Sequence, residues 1–419
     1  MPKRQRWTPI EGTQNRVYDP RERWLLRLAD LPGRLAWGAA RGIGLRRPPA
    51  MPDAKSIRDV LVFRLDRIGD VLMSLPALGQ LRAALPHARI RLVVGRWSEP
   101  IAQSAPVNQV LVWNAPWVGR ACEGSETFAQ LARKARALRG RPPDVAIDLQ
   151  GDLRAAALMW LTGARIRVGY ANTGGAYLLT HVVPLDETVS WVQQTRRAVT
   201  TVIRNAPPVA FADPLTKFDR EFASFVFDSM GLESRRPLVG IHPSGGRPVK
   251  QWGIDRWRAV AARLQEQFGA TILVTGTEAD RPLAAELTRD LPQEAYDFAG
   301  RYKVRETLAL IARFDLFLSP DTGPMHMACA TGTPSVSVFG PSDPARYFSG
   351  RDLTTGGRAS SWHVVVRPEL WCSPCNLIRR PPRECTGPAG PECLRSISVD
   401  RVAAEAARLL KEGGFAPVQ

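Results

Sequence analysis

The chain has 419 residues, 44% hydrophobic and 23% charged, a globular balance too long for one ordinary core, so two domains of about 150–200 residues are expected. No uninterrupted apolar run reaches the ~20 residues of a membrane-spanning helix, and the charged N-terminus lacks a secretory apolar core; a cytoplasmic protein is expected. The net charge of +17, mostly arginine, calls for an anionic partner, and the lack of any helix-turn-helix, zinc-finger or RNA-binding signature disfavours nucleic acid.

Residues 1–50 carry eleven Lys/Arg against four Asp/Glu, with Trp7, Trp24 and Trp37 among them. From Pro20 to Ala40, Trp24, Leu25, Leu28, Leu31, Leu35 and Trp37 recur at roughly helical spacing, with Arg21, Arg23, Arg27 and Arg34 between them. Pro32-Gly33 interrupts the pattern, so two short helices are expected. They would either lie on an anionic membrane face or pack as an arm on the protein's own surface.

From Asp59 the chain alternates apolar strands with helices, the rhythm of a parallel sheet covered on both faces. Strands are expected at 60–63, 90–94, 110–113, 144–149 and 166–170, with helices at 71–85, 128–138, 153–161 and near 190–205. A linker runs from Asn205 to about Pro237, with a Pro207-Pro208 break and a helix at 217–230. The rhythm then restarts: strands 238–241, 271–275, 315–318 and 335–340, helices 255–268, 280–290, 304–313 and 399–411. The expected division is a basic extension 1–55, a first lobe 56–205, a linker 206–236, and a second lobe 237–419 whose last helix is a candidate to cross back. A cleft between two such lobes is where a substrate is held.

The most informative turn is Ser319-Pro320-Asp321-Thr322-Gly323-Pro324-Met325-His326, a strand end running directly into a helix. Such a turn leaves backbone N–H groups free for an anion, beyond the carboxyl end of a parallel strand. The bland alternative is that Asp321 and Thr322 merely cap the helix. Nearby loops add Ser244 with Gly245-Gly246, Lys250 as a point charge for a phosphate, and Glu278 as an acceptor for a ribose hydroxyl. Neither Gly-x-Gly-x-x-Gly nor Gly-x-x-x-x-Gly-Lys-Ser/Thr stands at a strand–helix turn, so hydride-transfer and P-loop chemistry are not supported. In the first lobe Asp70, beside Gly69, is either a helix-terminus carboxylate or a general base facing the cleft. Arg64 and Arg67 would keep it ionised, and Asp66 is its competitor.

Cys372, Cys375, Cys385 and Cys393 crowd the C-terminal part, while Cys122 and Cys329 stand alone. Cys-x-x-Cys followed by two more cysteines suggests a structural zinc clip; reduced cysteines in a loop-rich excursion are the alternative.

Arg67-Ile-Gly-Asp-Val-Leu-Met-Ser-Leu-Pro-Ala-Leu78 and Ser319-Pro-Asp-Thr-Gly-Pro-Met-His-Met-Ala328 resemble the two hallmark segments of glycosyltransferase family nine, the ADP-heptose:lipopolysaccharide heptosyltransferases. Asp148-Leu-Gln-Gly151, Val168-Gly-Tyr170, His242-Pro243 through Trp252 and the Cys372-x-x-Cys375 cluster also fit, over about Val60 to Leu410. The resemblance implies an α/β GT-B fold, two Rossmann-like lobes with parallel sheets facing a central cleft. It implies an inverting transfer that needs no metal, with an ADP-sugar donor and no cofactor. By the same likeness, Asp70 is the base on the acceptor hydroxyl, Lys250 neutralises the departing diphosphate and Glu278 contacts ribose or adenosine. Asp321 contacts the donor sugar, while Thr322, Gly323 and His326 lie at the phosphates; Ser244 is a further phosphate ligand. Arg64 stands where many relatives have Lys. The implied partners are a lipid-linked glycan acceptor and the anionic inner face of the inner membrane. Alternatives are a member using another nucleotide sugar or acceptor, or a non-catalytic glycan-binding protein of this fold.

Overall fold

The computed structural model describes residues 20–42, 48–118, 124–204, 206, 209, 211–353 and 360–418. Residues 1–19 of the basic extension, Cys122 and the Pro207-Pro208 break lie outside the described residues. Six strands, β1 (Asp59–Phe63), β2 (Arg89–Val94), β3 (Gln109–Val112), β4 (Val145–Asp148), β5 (Ile166–Gly169) and β6 (His181–Val182), form the first sheet. Their order is β3-β2-β1-β4-β5-β6, all parallel. The second sheet repeats that order with β7 (Leu238–Ile241), β8 (Thr271–Val274), β9 (Ala295–Asp297), β10 (Leu316–Pro320), β11 (Ser335–Val338) and β12 (His363–Val366). The strand order reverses between β1 and β4 and again between β7 and β10. Each reversal opens a crevice at the carboxyl ends of the strands, where ligands of such sheets bind.

Nine helices carry the rest of the argument: α1 (Pro20–Gly42), α2 (Ile68–Ala84), α3 (Trp191–Val202), α4 (Lys217–Ser229), α5 (Ile254–Phe268), α6 (Val304–Ile311), α7 (Gly323–Thr331), α8 (Pro344–Tyr347) and α9 (Val399–Glu412). Two of them are apolar nearly all round. α2 buries eleven residues from Gly69 to Leu81, and α7 buries every residue from Met325 to Ala330. A helix apolar on every side must be enclosed on every side. α2 is enclosed by its own sheet, by α3 and, across the seam between the lobes, by α7. One apolar cluster therefore runs through both lobes and includes Leu72, Leu75, Met325, Met327 and Phe339.

Two expectations need correction. The N-terminal segment is one helix of 23 residues that continues through Pro32, not two short ones. Its inner face is held from outside: the Asp30 carboxylate accepts from the Gly175 N–H at 2.6 Å, and Leu26 is buried. Gly33 leaves room for the Tyr177 ring, whose Cζ a Cβ would meet at 2.0 Å. These contacts offset the hydrogen bond that a helix-interior proline removes. The last helix, α9, does not cross back: it packs on α5 and on β10–β12, with Val402, Ala406 and Leu409 in the second core. Among the described residues, no helix is long and apolar enough to cross a membrane.

α4 packs on α6, with Phe222 against Tyr302 and Phe227 against Phe314. From α6, Arg305 reaches into the first lobe. Its guanidinium donates to both Asp219 oxygens (2.9 and 2.5 Å), to the Pro214 carbonyl (3.1 Å), to the Pro100 carbonyl (3.2 Å) and to Ser104 Oγ (2.5 Å). Burial would raise the Asp219 carboxyl, but Arg305 and Thr216 hold it below the usual carboxylate range. Replacing one partner of such a pair strands the other charge out of water. Arg305→Ala is expected to lower unfolding free energy by about 3–5 kcal/mol in urea titration; a loss below 1 kcal/mol would show that the latch is not a stabilising one.

Candidate active site

α2 begins directly after β1, and the connecting turn brings its first residues to the seam. The hub is Arg64, 1% exposed. Its fork donates to the Leu149 carbonyl (Nη1, 2.5 Å) and the Asp70 carbonyl (Nε, 3.2 Å) and pairs with Asp66 (3.2 Å) and Asp70 (3.5 Å). A lysine could not serve acceptors spread in that plane. Asp70 has two contacts: Oδ2 accepts from the Arg67 N–H at 3.2 Å, and Oδ1 faces Arg64. The helix-terminus role and the exposed carboxylate therefore coexist, with the side chain 29% open to solvent. Asp66 pairs with Arg64, while burial holds its carboxyl above the ordinary range. Asp148, at the end of β4, is pushed up to about 7 by burial although it accepts from the N–H groups of Gln150 and Gly151, both at 2.9 Å.

From the second lobe, β10 ends at Pro320 and α7 starts at Gly323. The capping alternative does not hold: Thr322 occupies the N-cap position without a side-chain cap bond, and its hydroxyl turns back to the Pro320 carbonyl at 3.4 Å. Asp321, 7% exposed, instead accepts from Lys250 Nζ at 2.5 Å, and Nζ also donates to the Asp321 carbonyl at 3.2 Å. Burial opposes ionisation of Asp321, but Lys250 keeps its carboxyl below the usual range. Lys250 reaches this point because Gly245 lets the loop fold tightly; a Cβ there would meet the Lys250 backbone at 2.6 Å.

His326 closes the arrangement. Burial pushes its imidazole down to about 4 in spite of Asp321 and Asp70, so the ring is neutral, and Nδ1 is 2.8 Å from Ser349 Oγ. The ring lies on Gly69, where a Cβ would come within 2.5 Å of its Cδ2. Asp70, Asp321, Lys250 and His326 thus share one neighbourhood although they lie in three stretches of sequence. Ser244, 7% exposed at the end of β7, makes a hydrogen bond that helps lower the Asp280 carboxyl. Glu278, beyond β8, faces solvent, pairs with Arg281 at 3.1 Å and lies against Gly300. Asp148 heads one of the family-like segments but was given no role in the site, and Ser349 was not picked out because it stands in no recognisable turn motif. The candidate clip at Cys372, Cys375, Cys385 and Cys393 consists of free thiols, and among the described residues no group of three His, Cys, Asp or Glu side chains is placed to hold an ion. Burial, with the other three cysteines nearby, pushes the Cys393 thiol up to about 12.

Comparison with known proteins bears on this geometry. The chain is 24% identical over 298 residues to lipopolysaccharide heptosyltransferase 2 of Escherichia coli K12, covering 68% of this chain and 83% of the relative. Its fold matches a glycosyl transferase family 9 structure from Veillonella parvula with a TM-score of 0.70 at 22% identity, covering 85% of this chain and 98% of that one. It also matches the E. coli ADP-heptose lps heptosyltransferase II with a TM-score of 0.65 at 22% identity, covering 85% and 99%. The two lobes are those of a GT-B enzyme. Residues 131–378, more than half of the chain, match the model of glycosyltransferase family 9 (heptosyltransferase), and the chain belongs to that family of glycosyltransferases.

Proposed function

We propose that this enzyme transfers a heptose from ADP-heptose to a lipopolysaccharide core acceptor, with inversion. The observation that carries the reading is the start of α7, uncapped by any side chain, with Lys250 fixed at its mouth and Asp70 across the seam. The free N–H groups of Thr322 and Gly323 and the Lys250 ammonium offer donors and positive charge to a diphosphate. Asp70 takes the proton of the acceptor hydroxyl as that oxygen bonds to the anomeric carbon. The bond from that carbon to the diphosphate breaks, and its electron pair leaves with ADP. Inversion needs one base on the acceptor side, and a carboxylate at the head of α2 supplies it. Asp321 orients both Lys250 and the donor sugar. Neutral His326 lies by the phosphates without adding charge, and Ser244 and Glu278 extend the site along the ends of β7 and β8 toward ribose and adenine. Family membership and the heptosyltransferase activity named for its relatives support this assignment.

A lipid-borne acceptor also fits the N-terminal helix. Opposite the docked face of Leu26, Asp30 and Gly33, the residues Trp24, Leu28, Leu31 and Leu35 recur at i, i+4, i+7 and i+11 and are exposed, Leu35 by 66%. Arg27 and Arg34, both exposed, flank this ridge. An apolar ridge edged by arginine suits the headgroup level of an anionic bilayer, so the helix rests on the inner-membrane surface and brings the first lobe to its acceptor.

Thermal melting with a panel of nucleotide sugars tests the donor: ADP-heptose should raise the melting temperature more than UDP- or GDP-sugars, since binding to the folded state stabilises it. Asp70→Asn should abolish turnover while leaving ADP affinity within about twofold, and a mutant with near-normal rate would refute the base. Lys250→Ala should weaken ADP binding by about 1–3 kcal/mol in calorimetry, the worth of a charged hydrogen bond. Leu31→Glu combined with Leu35→Glu should reduce flotation with anionic liposomes at low salt while leaving activity on a soluble acceptor fragment unchanged; undiminished flotation would remove the helix from the membrane contact.

A further inference from the structure

Just after β11 the chain enters the short helix α8, on which nothing in the transfer chemistry above depends. Asp343 fixes its start: the carboxylate accepts from the Ala345 N–H at 2.9 Å, and Asn376 Oδ1 accepts from the Asp343 N–H at 3.0 Å. Arg346 then points inward and is 2% exposed. None of its three guanidinium nitrogens has a hydrogen-bond partner among the described residues. What it has is an indole: its Cζ lies over the Trp191 ring, 5.8 Å from the centroid. Trp191 opens α3 in the first lobe, so this contact crosses the seam, and Arg64 lies over the same ring at 5.6 Å. The next residue, Tyr347, is half-buried, and its phenol feels both Asp70 and Asp321. α8 is therefore beside the groups assigned to catalysis.

Other buried arginines of this protein are matched. Arg64 has the Leu149 carbonyl, Asp66 and Asp70, and Arg91 has Asp59 at 2.7 Å; even the half-buried Arg305 has Asp219, a hydroxyl and two carbonyls. A guanidinium withdrawn from water without hydrogen-bond acceptors costs far more than one face of an indole returns. Its planar fork is shaped for a carboxylate or a phosphate, taken by two N–H groups at once. The diphosphate of the donor already has Lys250 and the start of α7, whereas Trp191 belongs to the lobe that faces the acceptor.

We infer that Arg346, stacked on Trp191, is an oxyanion-binding residue at the lobe seam that receives a carboxylate or phosphate of the acceptor. The inference rests on the proposed division of acceptor and donor between the lobes. The guanidinium is almost wholly enclosed, so the anion enters as the seam opens and ties the two lobes together once bound. Arg346 thereby positions an acidic acceptor against Asp70 and discriminates against a neutral one.

The test compares wild type with Arg346→Met, which keeps the length and apolar bulk of the side chain. Thermal melting is followed with inorganic phosphate added to protein saturated with ADP, and ADP affinity is measured by calorimetry. Phosphate should raise the wild-type melting temperature, the variant's apparent phosphate affinity should fall roughly tenfold or more, and its ADP affinity should stay within about twofold. Without ligand the variant should melt no lower than wild type, because an unpaired buried charge has been removed. If ADP affinity falls about tenfold and phosphate adds nothing beyond ADP, the oxyanion is the donor's diphosphate, and the assignment to the acceptor is overturned. If neither affinity changes, the site itself is refuted. Should Arg346→Met fail to fold, Arg346→Lys makes the same comparison, retaining the charge without the fork and keeping part of the phosphate shift. A wild-type protein that binds no ADP would sink the donor reading, yet the phosphate comparison between wild type and variant would still decide the role of Arg346.

Discussion

The structure depends on the contact of one glycine with one histidine. Gly69 at the head of α2 and His326 in α7 touch so closely that any side chain on Gly69 would collide with the imidazole. This contact sets the separation of the lobes at the point where Asp70 faces Asp321. It also explains the state of His326, which burial keeps neutral and which Ser349 orients. A charged imidazole there would compete with Lys250 for Asp321 and place a second cation beside Asp70. The two sequence segments that resemble the family most are thus two halves of one interface, so the constraint on each comes partly from the other.

A second constraint is electrostatic. Arg64 pairs with Asp66 and Asp70 and acts on nearby Asp148, while Asp152 beside them is held by Arg154 at 2.6 Å. One cation does not offset the burial of both Asp148 and Asp66, and the carboxyls of both are pushed upward. Asp70 is the member with open solvent on one side, the side from which an acceptor hydroxyl would approach in the proposed reaction. The proposal of Asp70 as the base thus rests on its exposure and on the Arg67 N–H that fixes one oxygen, not on its position in a motif alone.

Much of this was legible in the sequence where periodicity and turn chemistry coincide. Strands β7 and β10 and helix α2 are apolar runs with glycine or proline at an end, β1 is an apolar run between two arginines, and their alternation announces a parallel sheet. The short strands β6, β9 and β12, two to four residues at or near the sheet edges, carry too few residues for a pattern. The continuity of α1 through Pro32 could not be read, because it is enforced by Asp30 on Gly175 and by Tyr177 against Gly33, partners about 145 residues away in the chain. In the site, Asp321, Asp70 and Lys250 were visible because they stand in the turns and loops that follow β10, β1 and β7. Arg346 was not, because an arginine in a loop looks like any other of this chain's many until its burial is known.

That last point bears on the net charge of +17, which reads in composition as one property but divides in the structure into kinds with different physics. Arg91 and Arg305 are spent on internal carboxylates and add nothing to an external field. Arg27 and Arg34 stand in water beside an apolar ridge, where their attraction to anionic lipid weakens as salt rises. Arg346 is neither matched inside nor presented outside. A cation in that position is tolerated when its counter-ion arrives with a substrate, so the enzyme binds an acidic ligand across its seam more tightly than a neutral one of the same shape. Under the proposed function the positive excess of the chain serves two distances at once: a surface attraction that would gather the acceptor, and one enclosed guanidinium that would recognise it.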